Sequence, residues 1–122
     1  MQHAEGFLKL VQEAKSRIRQ TNAAEVMKKM EAKEPFHLVD VREDNEYEAG
    51  HIRGAIHLGK GIIERDIEKR IPDRNAEVIL YCGGGFRSAL AADALQKMGY
   101  RNVISMDGGW RNWKENEFPV EK

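Results

Sequence analysis

The chain has 122 residues, and its twenty lysines and arginines balance twenty aspartates and glutamates; the length suits one domain with a real core, and the even charge leaves no nucleic-acid stripe or polybasic membrane anchor. The single cysteine cannot close an intramolecular disulfide, the N-terminus lacks the apolar stretch of a secretory signal, and no run is long enough to span a bilayer. The expectation is a protein of a reducing compartment, the cytoplasm, whose partners are small molecules or another protein, with neither nucleic acid nor membrane among them.

Phe7, Leu8, Leu10, Val11, Ala14 and Ile18 recur at helical spacing among charged residues, predicting an amphipathic helix on the outside of the domain. A short strand is expected over residues 18–21. Asn22 followed by Glu25 has the form of a capping box, and Val26, Met27 and Met30 continue a second helix that stops before Pro35. Phe36-His37-Leu38-Val39-Asp40-Val41 reads as a strand, and residues 45–49 as a short helical turn. Glycines punctuate residues 50–58, with a strand expected over 55–58. Ile62, Ile63, Ile67 and Ile71 mark a helix ending before Pro72. A strand over 77–82 leads through a turn into a helix that stops at Gly99. Val103-Ile104-Ser105-Met106 forms the last expected strand, Asp107-Gly108-Gly109 turns into a helix carrying Trp110 and Trp113, and Pro119 closes the ordered part. Strands alternating with helices predict an α/β fold of three layers, a mostly parallel central sheet with helices on both faces. Ligands of such sheets bind beyond the carboxyl ends of the strands.

The turn over residues 81–88, Tyr-Cys-Gly-Gly-Gly-Phe-Arg-Ser, lies at such an end and holds the only cysteine. Gly83, Gly84 and Gly85 allow the backbone to curl its N–H groups inward, the following helix adds its unpaired N-terminal donors, and Arg87 brings a permanent charge. Such a cup binds anions and suits a reactive thiolate. A metal site is not indicated, because one cysteine and His3, His37, His51 and His57 show no ligand spacing, and no cofactor is implied. A papain-like peptidase has no special use for the glycine cup. Two chemistries do use it. In phosphoryl transfer a thiolate attacks phosphorus and a carboxylic acid protonates the leaving alkoxide. In sulfur transfer the thiolate attacks the outer sulfur of a thiosulfate-like dianion, sulfite leaves without a general acid, and Cys82 keeps the sulfur as a persulfide.

Cys82-Gly83-Gly84-Gly85-Phe86-Arg87 resembles the C-x-x-G-x-R active loop of single-domain rhodaneses, the thiosulfate sulfurtransferase family. Leu38-Val39-Asp40-Val41-Arg42-Glu43 resembles that family's D-x-R segment, Gly50-His51-Ile52-Arg53-Gly54-Ala55 its G-H-I-x-G-A segment, and Asp107-Gly108-Gly109-Trp110, with Trp113, its closing G-G-x-x-x-W. The likeness covers roughly residues 18–118. It implies a rhodanese-like fold, with residues 1–17 as a helical extension and 119–122 as a tail. It also implies transfer of sulfane sulfur from thiosulfate or a persulfide donor, through Cys82, to cyanide or to a thiol acceptor, small or a thioredoxin-like protein. Four residues separate Cys82 from Arg87, against five in tyrosine-phosphatase-type loops, and the shorter cup resembles the sulfurtransferase branch. Gly83 through Ser88 are the expected cradle, with Arg87 reading the sulfonate or steadying the bound sulfur and Phe86 shaping contact with the acceptor. Asp40 and Arg42 are expected beside the loop, chiefly as scaffold, and His51 as an anchor of its turn. A cysteine phosphatase or arsenate reductase, and a persulfide carrier that docks on a partner without catalysis, remain open, as do the physiological donor and acceptor and the oligomeric state. The P-loop-like Gly54-Ala55-Ile56-His57-Leu58-Gly59-Lys60-Gly61 lacks the hydroxyl that would hold Mg²⁺, and Gly83-Gly84-Gly85 lacks the third glycine of a dinucleotide fingerprint.

Overall fold

The apolar runs expected as strands form one parallel sheet in the computed structural model, which describes residues 3–122. In chain order its strands are β1 (Arg19–Thr21), β2 (His37–Asp40), β4 (Ile56–His57), β5 (Val78–Tyr81) and β6 (Val103–Met106), arranged in space as β1-β6-β5-β2-β4. The two inner pairings run in register from His37 opposite Val78 to Asp40 opposite Tyr81, and from Val78 opposite Val103 to Leu80 opposite Ser105. Because successive side chains on a strand face opposite ways, the continuous apolar run of β5 supplies two cores at once. Val78 and Leu80 pack with Val39 and Val103 under α4 (Ile63–Arg70) and α5 (Phe86–Lys97). Ile79 and Tyr81 pack with Leu38 and Ile104 against α2 (Ala23–Glu31) and α6 (Gly109–Glu115), where Trp113 is fully buried. Burial on both faces is what a parallel sheet requires.

The first helix, α1 (Glu5–Lys15), ends three residues before Ile18 and lies on α5, with Val11 and Ala14 buried between them. This explains why α5 carries small residues on several sides: Ala89, Ala91 and Ala92 are all buried because the helix is covered by the sheet and by α1 together. Arg17 fastens the junction, its Nε and Nη2 donating at 2.9 and 2.8 Å to the two carboxylate oxygens of Asp93. The Asp93 carboxyl is held below its usual range by that hydrogen-bonded guanidinium.

Two local expectations need correction. Pro119 does not close the ordered part: β7 (Val120–Glu121) pairs antiparallel with β3 (His51–Ile52), a strand the glycine punctuation hid. Trp113 fixes the return, its Nε1 donating to the carbonyl of Pro119 at 2.9 Å. The capping box at Asn22 is half of one, with the Asn22 side chain accepting from Glu25 N at 2.9 Å. The reciprocal box stands instead at α3 (Asp44–Ala49), where the Glu43 side chain accepts from the backbone of Glu46 and Glu46 Oε1 accepts from Glu43 N at 2.9 Å.

Candidate active site

Tyr81 ends β5 and Phe86 begins α5, so residues 82–85 must reverse the chain at the carboxyl edge of the sheet. Cys82 lies at the bottom of this turn, 1% exposed. Its Sγ accepts from the N–H of Gly85 at 3.1 Å and of Ser88 at 3.4 Å, and stands 3.6 Å from Ser88 Oγ. Ser88 Oγ in turn shares a hydrogen bond of 2.8 Å with Ser105 Oγ from β6. The left-handed φ of 105° at Gly85 turns its N–H toward the sulfur, a conformation natural only to glycine.

The loop's carbonyls point the other way. Cys82 O accepts from Trp110 N at 2.8 Å and Gly83 O from Arg111 N at 3.1 Å, so the first turn of α6 takes the carbonyls while the sulfur keeps the amides. This close approach explains Asp107-Gly108-Gly109: a Cβ on Gly109, whose φ is 50°, would stand 2.3 Å from Cys82 O. A Cβ on Gly85 would likewise meet Asp107 Oδ1 at 3.1 Å. The two glycine turns interlock.

Arg87 is engaged by a residue from another element. Its Nη1 donates to Glu46 Oε1 at 2.8 Å and its Nη2 approaches Oε2 at 3.4 Å, with both side chains about one-third exposed. The α3 capping box fixes Glu46, and Glu46 fixes Arg87. Hydrogen bonding to Arg87 lowers the Glu46 carboxyl from its ordinary value, and the same bond raises the guanidinium. Both groups line a cavity of about 680 Å³ together with Cys82, Gly83, Gly84 and Phe86. The remaining wall comes from His3, Phe7 and Arg111. A second depression of about 650 Å³, around Phe36, His37 and Glu77 at the amino end of β2, holds none of the loop residues.

The structure thus gathers Gly83, Gly84, Gly85, Phe86, Arg87 and Ser88 around Cys82. Asp40, Arg42 and His51 stand apart from the cavity. Asp40 is fully buried and accepts four bonds from Arg42: the backbone N at 2.9 Å, Nε at 3.1 Å to each oxygen, and Nη2 at 2.8 Å. Arg42 also donates to Gly50 O at 2.7 Å and lies over the Trp110 ring at 4.6 Å. Beside this pair, burial pushes the Tyr81 phenol well above its ordinary range, and its oxygen accepts from Ile52 N at 3.0 Å. His51 stacks on Tyr47 with ring centres 3.8 Å apart, its Nδ1 3.0 Å from Tyr47 O, and His57 stacks on the same tyrosine at 4.7 Å. Glu46, Arg111, His3 and Phe7 were not anticipated as site residues. Only the Glu43/Glu46 spacing of a capping box, and the place of Phe7 in the first apolar stripe, carried any signal of them.

The family described as rhodanese-like domain matches residues 22–116. The chain belongs to that family. This rhodanese-like domain is 32% identical over 102 residues to the putative sulfurtransferase YtwF of Bacillus subtilis, covering 84% of the chain and 96% of YtwF. It is 35% identical over 77 residues to the thiosulfate sulfurtransferase GlpE of Coxiella burnetii, covering 63% and 70%. Against the putative sulfur carrier protein YrkF of Bacillus subtilis it is 37% identical over 87 residues, 70% of the chain but only 45% of YrkF. Among solved structures it resembles RPA3614 from Rhodopseudomonas palustris, a protein of unknown function described as a possible tyrosine phosphatase, with a TM-score of 0.88, 28% identity and coverage of 99% and 98%. That coverage includes α1. The rhodanese-like domain is therefore homologous to thiosulfate sulfurtransferases, and among its described residues no helix is long and apolar enough to cross a membrane.

Proposed function

We propose that this rhodanese-like domain is a sulfurtransferase in which Cys82 is the nucleophile and the sulfur carrier. The observation that carries the reading is the convergence of Gly85 N and Ser88 N on one sulfur, with Ser88 Oγ 3.6 Å away, at the floor of an open cavity. Donors so placed solvate an anionic sulfur and a persulfide built upon it. The Cys82 thiolate attacks the outer sulfur of thiosulfate, the Sγ–S bond forms, the S–S bond of the donor breaks, and sulfite leaves with the electron pair. A nucleophilic acceptor, cyanide or a thiolate, then attacks the outer persulfide sulfur and returns Cys82 as thiolate. Neither step needs a general acid, and the carboxylate that lines the cavity, Glu46, is held by Arg87. Arg87 presents its charge beside the loop while Glu46 holds its orientation. In this reading residues 18–118 form the transferase unit, residues 1–17 extend it, with 1 and 2 outside the described residues, and the protein works in the reducing cytoplasm.

Intact-mass measurement after incubation with thiosulfate tests the proposal. The expected result is a gain of one sulfur atom that cyanide removes, with the gain absent in Cys82→Ser. Absence of any adduct with thiosulfate and with organic persulfides overturns the reading. Hydrolysis of an aryl phosphate in the absence of sulfur loading would assign the site to phosphatase chemistry. Loading without turnover on any acceptor would leave a carrier and refute the enzyme.

A further inference from the structure

The cavity is much larger than the ion it is proposed to receive. A volume of about 680 Å³ lies in the range that accommodates drug-sized ligands, whereas thiosulfate fills only its floor. The surplus wall has a definite character. His3 and Phe7 of the N-terminal segment meet Phe86 of the loop with ring centres 4.9 and 6.1 Å away, and each other at 5.4 Å. These two residues precede residues 22–116, the part shared with the family.

The charges in the wall are equally uneven. Arg87 is engaged by Glu46. Lys15, outside the lining, lies over the Phe86 ring at 5.1 Å from its centre and is engaged by Asp107 at 3.5 Å. Arg111 lines the same cavity, and among the described residues it has no carboxylate within ion-pair distance: its backbone N–H holds Gly83 O, while its side chain stays exposed. The cavity thus offers a small anion-binding floor, an aromatic side and one uncommitted guanidinium.

We propose that Phe7, Phe86 and Arg111 form a subsite for an organic persulfide that carries a carboxylate, a proposal that rests on Cys82 being the sulfur acceptor. The donor's apolar stem packs on the two phenyl rings, its carboxylate pairs with Arg111, and its terminal sulfur reaches Cys82. The Cys82 thiolate then forms a bond to that terminal sulfur, the donor's own S–S bond breaks, and the donor thiolate leaves with the electron pair and takes a proton from water. No oxidant or reductant is consumed.

Loading of Cys82 followed by mass, with glutathione persulfide, its diethyl ester and thiosulfate as donors, tests the subsite. Phe7→Ala raises KM for glutathione persulfide about fivefold and leaves thiosulfate within about twofold, because only the organic donor reaches the ring. Arg111→Gln raises KM for glutathione persulfide about tenfold, the scale of one hydrogen-bonded charge pair, and leaves the diethyl ester unchanged. Val11 and Ala14 anchor α1 independently of Phe7, and an unchanged circular dichroism spectrum with an unchanged thermal midpoint verifies each variant's fold. Equal shifts for all donors, or no shift for any, overturn the subsite while Cys82 loading stands. A wild-type protein that takes sulfur from none of the three overturns the sulfurtransferase reading itself, and the subsite with it.

Discussion

Two arginine–carboxylate pairs flank the carboxyl edge of the sheet, and they differ in nearly everything except chemistry. Asp40–Arg42 is closed: both side chains are buried, the carboxylate accepts four bonds, and the guanidinium is further held by Gly50 O and the face of Trp110. Glu46–Arg87 is open: it joins two elements, is one-third exposed, and looks into the cavity with Cys82. A buried pair that saturates itself fixes a strand end, and truncating it strands a charge. A half-exposed pair contributes little to stability and instead sets the charge that a ligand meets. The same two functional groups thus act as masonry at one strand end and as part of a binding surface at the next.

Three substitutions sharpen or break that contrast. Asp40→Ala has the largest expected effect on the fold, about 3–5 kcal/mol, read by chemical denaturation; a loss below about 1 kcal/mol would show that Arg42 finds water and that the pair is not closed. Gly109→Ala comes next. Its Cβ would overlap Cys82 O, so the two turns must separate at a cost of about 1–3 kcal/mol, and sulfur loading of Cys82 falls with it. Normal loading in this variant would mean that the loop does not depend on α6.

The smallest effect on stability, under about 1 kcal/mol, is expected for Glu46→Gln, which keeps the capping box because glutamine serves it equally. Its kinetic effect is visible nonetheless: with the carboxylate gone, thiosulfate loads Cys82 a few-fold faster, since a dianion no longer meets a like charge. Slower loading would instead show that the orientation Glu46 gives Arg87 outweighs the repulsion it offers the dianion. Acid titration of stability gives the matching sign. The Glu46 carboxyl is depressed in the folded state by Arg87, so the pair's contribution is full above the ordinary glutamate value of about 4.3 and is lost as pH falls through the lower folded value. The Gln variant lacks that part of the acid slope.

Much of this was legible from residue order alone. The β5 run, the three glycines and Ala-rich α5 announce their own backbone, because strand, turn and helix there are each dictated by local residue type. The strand end that carries Asp40 and Arg42 was legible too, but their bond to each other was not. What stayed hidden depends on distance in sequence. Strands β3 and β7 are two residues long, too short for any periodicity, and form only because Trp113 and Pro119 bring the C-terminus back. Glu46 went unread even as a capping residue, and its second role needs Arg87, 41 positions away. Phe7 announced a helix but not its neighbour, since an apolar stripe says that a face is covered and not by what. Arg111 gave no signal, because an exposed cation acquires meaning only from the cavity beside it.

The hydroxyls beneath the sulfur carry one more consequence. Ser88 and Ser105 are both fully buried, and either oxygen of the pair can be the donor. Rotation about two C–O bonds therefore reverses the polarity of the whole row without shifting a heavy atom. With a charged sulfur above, the hydrogens point up toward it; with a protonated thiol, they point down into the sheet. A buried hydroxyl pair of this kind works as a reversible compass needle, able to suit a neighbouring sulfur with or without its proton while the backbone around it stays still.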